Sequence, residues 1–145
     1  MADQLATVLQ LRVREEEKAA EKKLVLERNL SSLQQQLTSL EDYALDYQAR
    51  LSATGTISIQ QRQLLSAYLH QVQTAILGQL EKIAAAEIQV EQARSLWLAA
   101  RLNKQAIEKL MEKRLAAQAE LEVQRDQKET DALNQVRFVA NNRLD

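Results

Sequence analysis

The residue types that most often do chemistry are sparse in this sequence and do not converge. There is one histidine, His70, beside polar Gln71, and there is no cysteine. A metal ligand or a general base needs partners spaced to bring them within reach, and His70 has none; it reads as a solvated helix residue. Without cysteine there is no thiolate metal site and no disulfide. Glycine-rich phosphate loops and nucleophile motifs are missing as well. Carboxylates are plentiful but alternate with basic residues. Glu15-Glu16-Glu17-Lys18 and Glu21-Lys22-Lys23 read as solvated faces with helix-spaced ion pairs, each worth ~0.2–0.5 kcal/mol. The chain is therefore expected not to be an enzyme, and to hold no cofactor and no metal.

The few aromatic rings say more. Tyr43, Tyr47 and Tyr68 flank a break in the helical pattern near Gly55. Folding the chain there brings Tyr43 opposite about residue 69, so the three rings fall within about two helical turns of one another. Tyr47 fits a helix–helix seam, whereas Tyr43 stands beside it. Two further stripes run at i, i+4, i+7 and i+11: Gln36, Leu40, Tyr43 and Tyr47, and then Tyr68, Val72, Ala75 and Gln79. Together they form a candidate second apolar face for binding another protein. Trp97 is expected to lie opposite Glu16 and Lys18 and to cover their aliphatic stems.

The elements that position these residues are long helices. The 145 residues include no proline and only two glycines, Gly55 and Gly78. Proline breaks helix interiors and glycine weakens them, so their scarcity leaves long helices intact. Leu26, Leu30, Leu33, Leu37, Leu40, Ala44, Tyr47 and Leu51 alternate spacings of four and three, the heptad seam of a coiled coil. Extended backward, the seam turns polar at Lys23, Glu16 and Arg12 before regaining Leu9 and Leu5. A second seam runs through Leu65, Leu69, Val72, Ile76, Gln79, Ile83, Ala86, Val90, Ala93, Trp97 and Ala100, and less cleanly through Ile107, Met111 and Leu121.

Between the seams lies Ser52-Ala53-Thr54-Gly55-Thr56-Ile57-Ser58, a cluster of small and β-branched residues. Gly55 is expected to end the first helix with a positive φ. Ser58 and Gln61 read as a capping box that starts the second helix, with Ile57 stapled against its first turn. The expected fold is all-α: two long helices forming an antiparallel coiled-coil hairpin in one coiled-coil domain. Helix one covers about 3–51, the connector about 52–58 and helix two about 59–141. The closing Asn141-Asn142-Arg143-Leu144-Asp145 reads as a fraying end. At ~1.5 Å per residue, helix one reaches only to about residue 107 of helix two, so roughly 30 residues overhang.

Nineteen basic and 20 acidic residues nearly cancel, which argues against a nucleic-acid binder. No stretch approaches the ~20 apolar residues of a membrane span, so no membrane insertion is expected. The charged first 30 residues show no signal peptide.

The order of motifs resembles the FliJ family, the small coiled-coil component of the bacterial flagellar type III export apparatus. The resemblance is carried by Leu5, Val8, Leu9, Leu11-Arg12, Glu15-Glu16 and Leu24, and by Leu40-Glu41-Asp42-Tyr43 with Tyr47 and Leu51. It continues through Tyr68, Val72, Ala75-Ile76 and Gln79, then Trp97, and finally Asp126-Gln127-Lys128 with Asp131 and Arg137. Two positions depart from the family pattern: Tyr68 stands where phenylalanine is usual, and Ala132 where an acidic residue often follows the aspartate.

The resemblance implies a stalk-like hairpin whose paired terminal region promotes a hexameric flagellar export ATPase. The tip, through the two stripes, would contact a membrane export gate protein, and the family also handles export chaperones. It implies a cytoplasmic protein, peripheral at the inner face of the membrane, serving flagellum assembly, motility and chemotaxis. The alternatives are the equivalent stalk of a virulence type III secretion system and a generic structural coiled coil.

Overall fold

The computed structural model describes residues 2–53, 55 and 57–143, with side chains from residue 4 onward. The expectations for Thr54 and Thr56 in the connector, and for Leu144 and Asp145 at the end, lie outside these residues. Two helices make up the fold: α1, Ala2–Ser52, and α2, Ile59–Arg143. They measure 51 and 85 residues. Hydroxyl residues inside them are accommodated by bonding back to the preceding turn. Thr38 Oγ1 donates to the Gln34 carbonyl, Ser39 Oγ to Gln35, Thr74 Oγ1 to His70 and Thr130 Oγ1 to Asp126. His70 itself is exposed.

The chain divides into two packed units. The first holds residues Arg14–Ala100 and is an antiparallel helical hairpin: as the α1 partner number falls from 47 to 16, the α2 partner rises from 68 to 97. Its core is narrow. The buried apolar residues among those described are Ala44 on α1 and Ile83, Ala86, Val90 and Ala93 on α2. Leu26, Leu30, Leu33, Leu37, Leu40, Tyr47 and Leu51 are half-buried along the same seam, as are Leu65, Leu69, Val72, Ile76, Trp97 and Ala100. Three of the five buried core residues are alanines, so the helices meet with little side-chain bulk between them. Apolar side chains also stand outside the seam, with Leu77, Ile88 and Leu96 each about 60% exposed or more.

The turn differs from expectation in one respect. No glycine among the described residues has a positive φ, so α1 does not end on a left-handed Gly55. The connector instead makes two successive three-residue hydrogen bonds, Gly55 N–H to the Ala53 carbonyl and Ile57 N–H to the Gly55 carbonyl, each 2.9 Å. Such tight turns reverse direction in steps and require no left-handed residue. The capping box is present. Gln61 N–H donates to Ser58 Oγ at 3.1 Å, and Ser58 N–H donates to Gln61 Oε1 at 3.4 Å. Ile57 lines a hollow with Arg50, Ala53, Gln61, Leu64 and Leu65, over the first two turns of α2.

The second unit comprises Met1–Val13 and Arg101–Asp145. Here Leu5 shares a largely apolar hollow with Met111, Leu115 and Leu121. The first segment therefore reaches somewhat past the expected residue 107. From residue 112 to 143 every described residue is exposed, Leu121 at 61% included, so Leu121 does not extend the seam. That segment is ~48 Å of helix at 1.5 Å per residue. Among the described residues no helix is long and apolar enough to cross a membrane.

Candidate protein-interaction surface

The two stripes lie in the hairpin unit, and the geometry draws part of each into the seam. Heptad seam and stripe interleave, so Leu40 and Tyr47 on α1 and Val72 on α2 are half-buried. Tyr47 and Tyr68 meet across the hairpin, ring centroids 6.0 Å apart and planes tilted by 32°, within the range of favourable aromatic pairs. Tyr68 keeps 41% of its surface open and Tyr43 58%. Gln36 and Ala75 are exposed as well. Tyr43, Gln36, Ala75 and the outer side of Tyr68 thus form the open part of the candidate face.

Gln79 lies deeper. It is 6% exposed, the one buried polar residue among those described. Its Nε2 donates to the Leu33 carbonyl at 2.8 Å and to Gln36 Oε1 at 3.0 Å. No buried side-chain nitrogen or oxygen among the described residues lacks a partner, so this amide is a satisfied group in an otherwise apolar seam. Its place in the seam was readable from spacing. The bridge was not, because spacing does not say which carbonyl an amide will find; a polar residue in an apolar heptad was the available signal.

Farther along the hairpin a polar cluster surrounds Trp97. Its Nε1–H donates to Glu16 Oε1 at 3.1 Å, and Lys23 Nζ stands 4.8 Å from the ring centroid. The expected neighbour Glu16 is therefore present, but the second contact is Lys23, and Lys18 is exposed. Side chains of a helix lean toward its N-terminus, so Lys23 reaches back along α1 to the ring while Lys18 points elsewhere. Lys23 also pairs with Glu27 at 3.4 Å, and Glu27 accepts from Arg94 Nε on α2 at 3.3 Å. Partial desolvation pushes the Glu27 carboxyl upward. The hydrogen bond from Arg94, with the charge and hydrogen bond of Lys23 and the charge of Arg94, outweighs it and holds the group below its ordinary value.

Among the described residues no three His, Cys, Asp or Glu side chains are grouped to hold a metal ion. The family model of the flagellar FliJ protein matches residues 1–143. No curated protein matches the chain. Since the family match runs through both helices and the connector, the chain belongs to the FliJ family of flagellar proteins.

Proposed function

We propose that this chain is the stalk of a flagellar type III export apparatus, binding the hexameric export ATPase and promoting its assembly and activity. As a family member it is a stalk-like export component, and the family is not one of enzymes. In this reading the tip face of Gln36, Leu40, Tyr43, Tyr47, Tyr68, Val72 and Ala75, with Gln79 beneath it, meets the membrane export gate protein. Export chaperones are handed on by the same protein, which works in the cytoplasm at the inner face of the membrane.

The observation that carries the ATPase part is the helix beyond Leu121, exposed throughout residues 122 to 143. Isolated helices are marginal in water, and most helical stability comes from packing an apolar stripe against a partner. Val123, Leu133, Val136, Phe138 and Val139 are all exposed there, which suits a segment that docks.

The test is an ATPase assay with the cognate export ATPase. The full chain is expected to raise turnover and to co-migrate with the enzyme on gel filtration, and a chain ending at Leu121 to do neither. Absence of both stimulation and complex with the full chain would overturn the reading.

A further inference from the structure

We propose that Gln79 is a positioning residue for the tip face. From inside the seam it locks the Gln36 amide so that the surface presents an N–H donor, and the docking partner supplies a carbonyl or carboxylate acceptor to that donor. The inference rests on the reading that the tip binds the export gate.

The argument begins with the Leu33 carbonyl. A backbone carbonyl only accepts, so the group that Gln79 turns toward it at 2.8 Å must be its NH₂. That NH₂ has two protons, and the second points to Gln36 at 3.0 Å. Gln36 must therefore offer its oxygen inward, and its own NH₂ is left on the outer side of an exposed residue. The chain of bonds starts at a fixed backbone atom and admits no amide flip along it.

Without Gln79, the Gln36 side chain turns freely and presents oxygen or nitrogen to a partner. With Gln79 in place, one face of the amide is occupied before any partner arrives. Leu40 and Tyr43 follow Gln36 at i+4 and i+7, so the donor sits on the same stripe as the exposed Tyr43 ring. An apolar neck with one oriented donor accepts a partner acceptor and disfavours a partner donor, which gives the face selectivity beyond apolar contact. The seam itself has no need of an amide at this position. Ile76 and Ile83, its neighbours along the seam, pack without one, and a lone polar residue in a heptad weakens pairing while fixing its register.

The test uses the full chain and the cytoplasmic part of the cognate export gate protein, with affinity read by isothermal titration calorimetry. The variants are Tyr43→Ala, Gln36→Ala, Gln79→Leu and the Gln36→Ala, Gln79→Leu pair. Tyr43→Ala is expected to weaken binding. Gln36→Ala and Gln79→Leu are each expected to weaken it by about fivefold to tenfold, the size of one hydrogen bond. In the Gln36→Ala background, Gln79→Leu is expected to have no further effect. A merely structural role for Gln79 would weaken binding in that background too, and that result overturns the proposal. So does unaltered binding by Gln79→Leu when Tyr43→Ala has lost affinity, an outcome that leaves the tip reading standing. Unaltered binding by Tyr43→Ala sinks the tip reading and the positioning role with it. Should Gln79→Leu lose helicity by circular dichroism, NMR of the unaltered chain decides. Contacts between the Gln79 and Gln36 side-chain amides are expected, and an averaged, freely rotating Gln36 amide refutes the lock.

Discussion

Replacing Trp97 tests whether the polar stretch of the seam stabilises the hairpin. Trp97→Ala removes a half-buried ring, its bond to Glu16 and its contact with Lys23. Full truncation of a buried tryptophan costs ~3–5 kcal/mol, so a half-buried one costs about 2. A hydrogen bond to a charged acceptor adds ~1.5 kcal/mol in a buried setting and about 1 at this partly open site. The cation–ring contact contributes ~0.5 kcal/mol at comparable exposure. The expected loss is therefore about 3.5 kcal/mol for Trp97→Ala, a large share of the ~5–15 kcal/mol typical of a folded domain. Trp97→Phe keeps an aromatic ring near Lys23 but removes the N–H together with part of the indole, so it should lose about 1.5–2 kcal/mol.

The assay is urea unfolding followed by far-ultraviolet circular dichroism, which does not depend on the chain's single tryptophan. Leu98→Ala, at a neighbouring residue 49% exposed, serves as control and should stay within ~0.5 kcal/mol. A double-mutant cycle of Trp97→Phe with Glu16→Ala, which removes donor and acceptor in turn, isolates the bond. A coupling energy indistinguishable from zero would refute the reasoning, since the 3.1 Å contact would then be present without stabilising anything.

Three further outcomes are expected. Gly78 lies inside α2 with nothing within 4 Å of an added Cβ, so Gly78→Ala should raise stability by about 0.5–1 kcal/mol in the same urea titration. Ser58→Ala removes one half of the reciprocal cap at the start of α2 and should lose ~1 kcal/mol, with hydrogen exchange accelerating in residues 59–62 before it does elsewhere. Glu27 is held below its ordinary value when folded, so its stabilising contribution is complete above the ordinary carboxylate range and disappears as pH falls through the lowered value. Glu27→Gln should flatten that part of the stability–pH curve, and an unchanged acid limb would exclude Glu27 from the transition.

The seam was legible in sequence because its signal is periodic. Leucines and small residues at alternating four and three positions from Leu26 to Leu51, and from Leu65 to Ala100, all turn inward. The capping box was legible for a related reason, since Ser58 and Gln61 act on each other's backbone across three residues. Contacts that depend on side-chain direction were harder to read. Trp97 selects Lys23 over Lys18, and Gln79 selects Leu33 and Gln36, choices made by geometry across the hairpin. Gly55 misled because glycine permits a left-handed stop without requiring one, and the connector turns by short hydrogen bonds instead. The candidate face was partly legible: the stripes mark its direction, but periodicity alone does not divide Tyr47 and Gln79, which the seam takes up, from Tyr43 and Gln36, which it leaves open.

The cap at Ser58 also has a consequence during synthesis. When α1 leaves the ribosome its seam has nothing to pack against, because every α1 partner lies later in the chain. Translation at ~5–20 residues per second takes about 4–17 s to deliver the 85 residues of α2. A helix that starts at a fixed residue, just past a tight turn, lets each new turn of α2 lay down on α1 as it emerges. Pairing then proceeds from the shortest loops to the longest, the order in which closure entropy is smallest at every step. The nascent hairpin closes like a zipper from its tip, and each pair that forms shortens the loop left for the next.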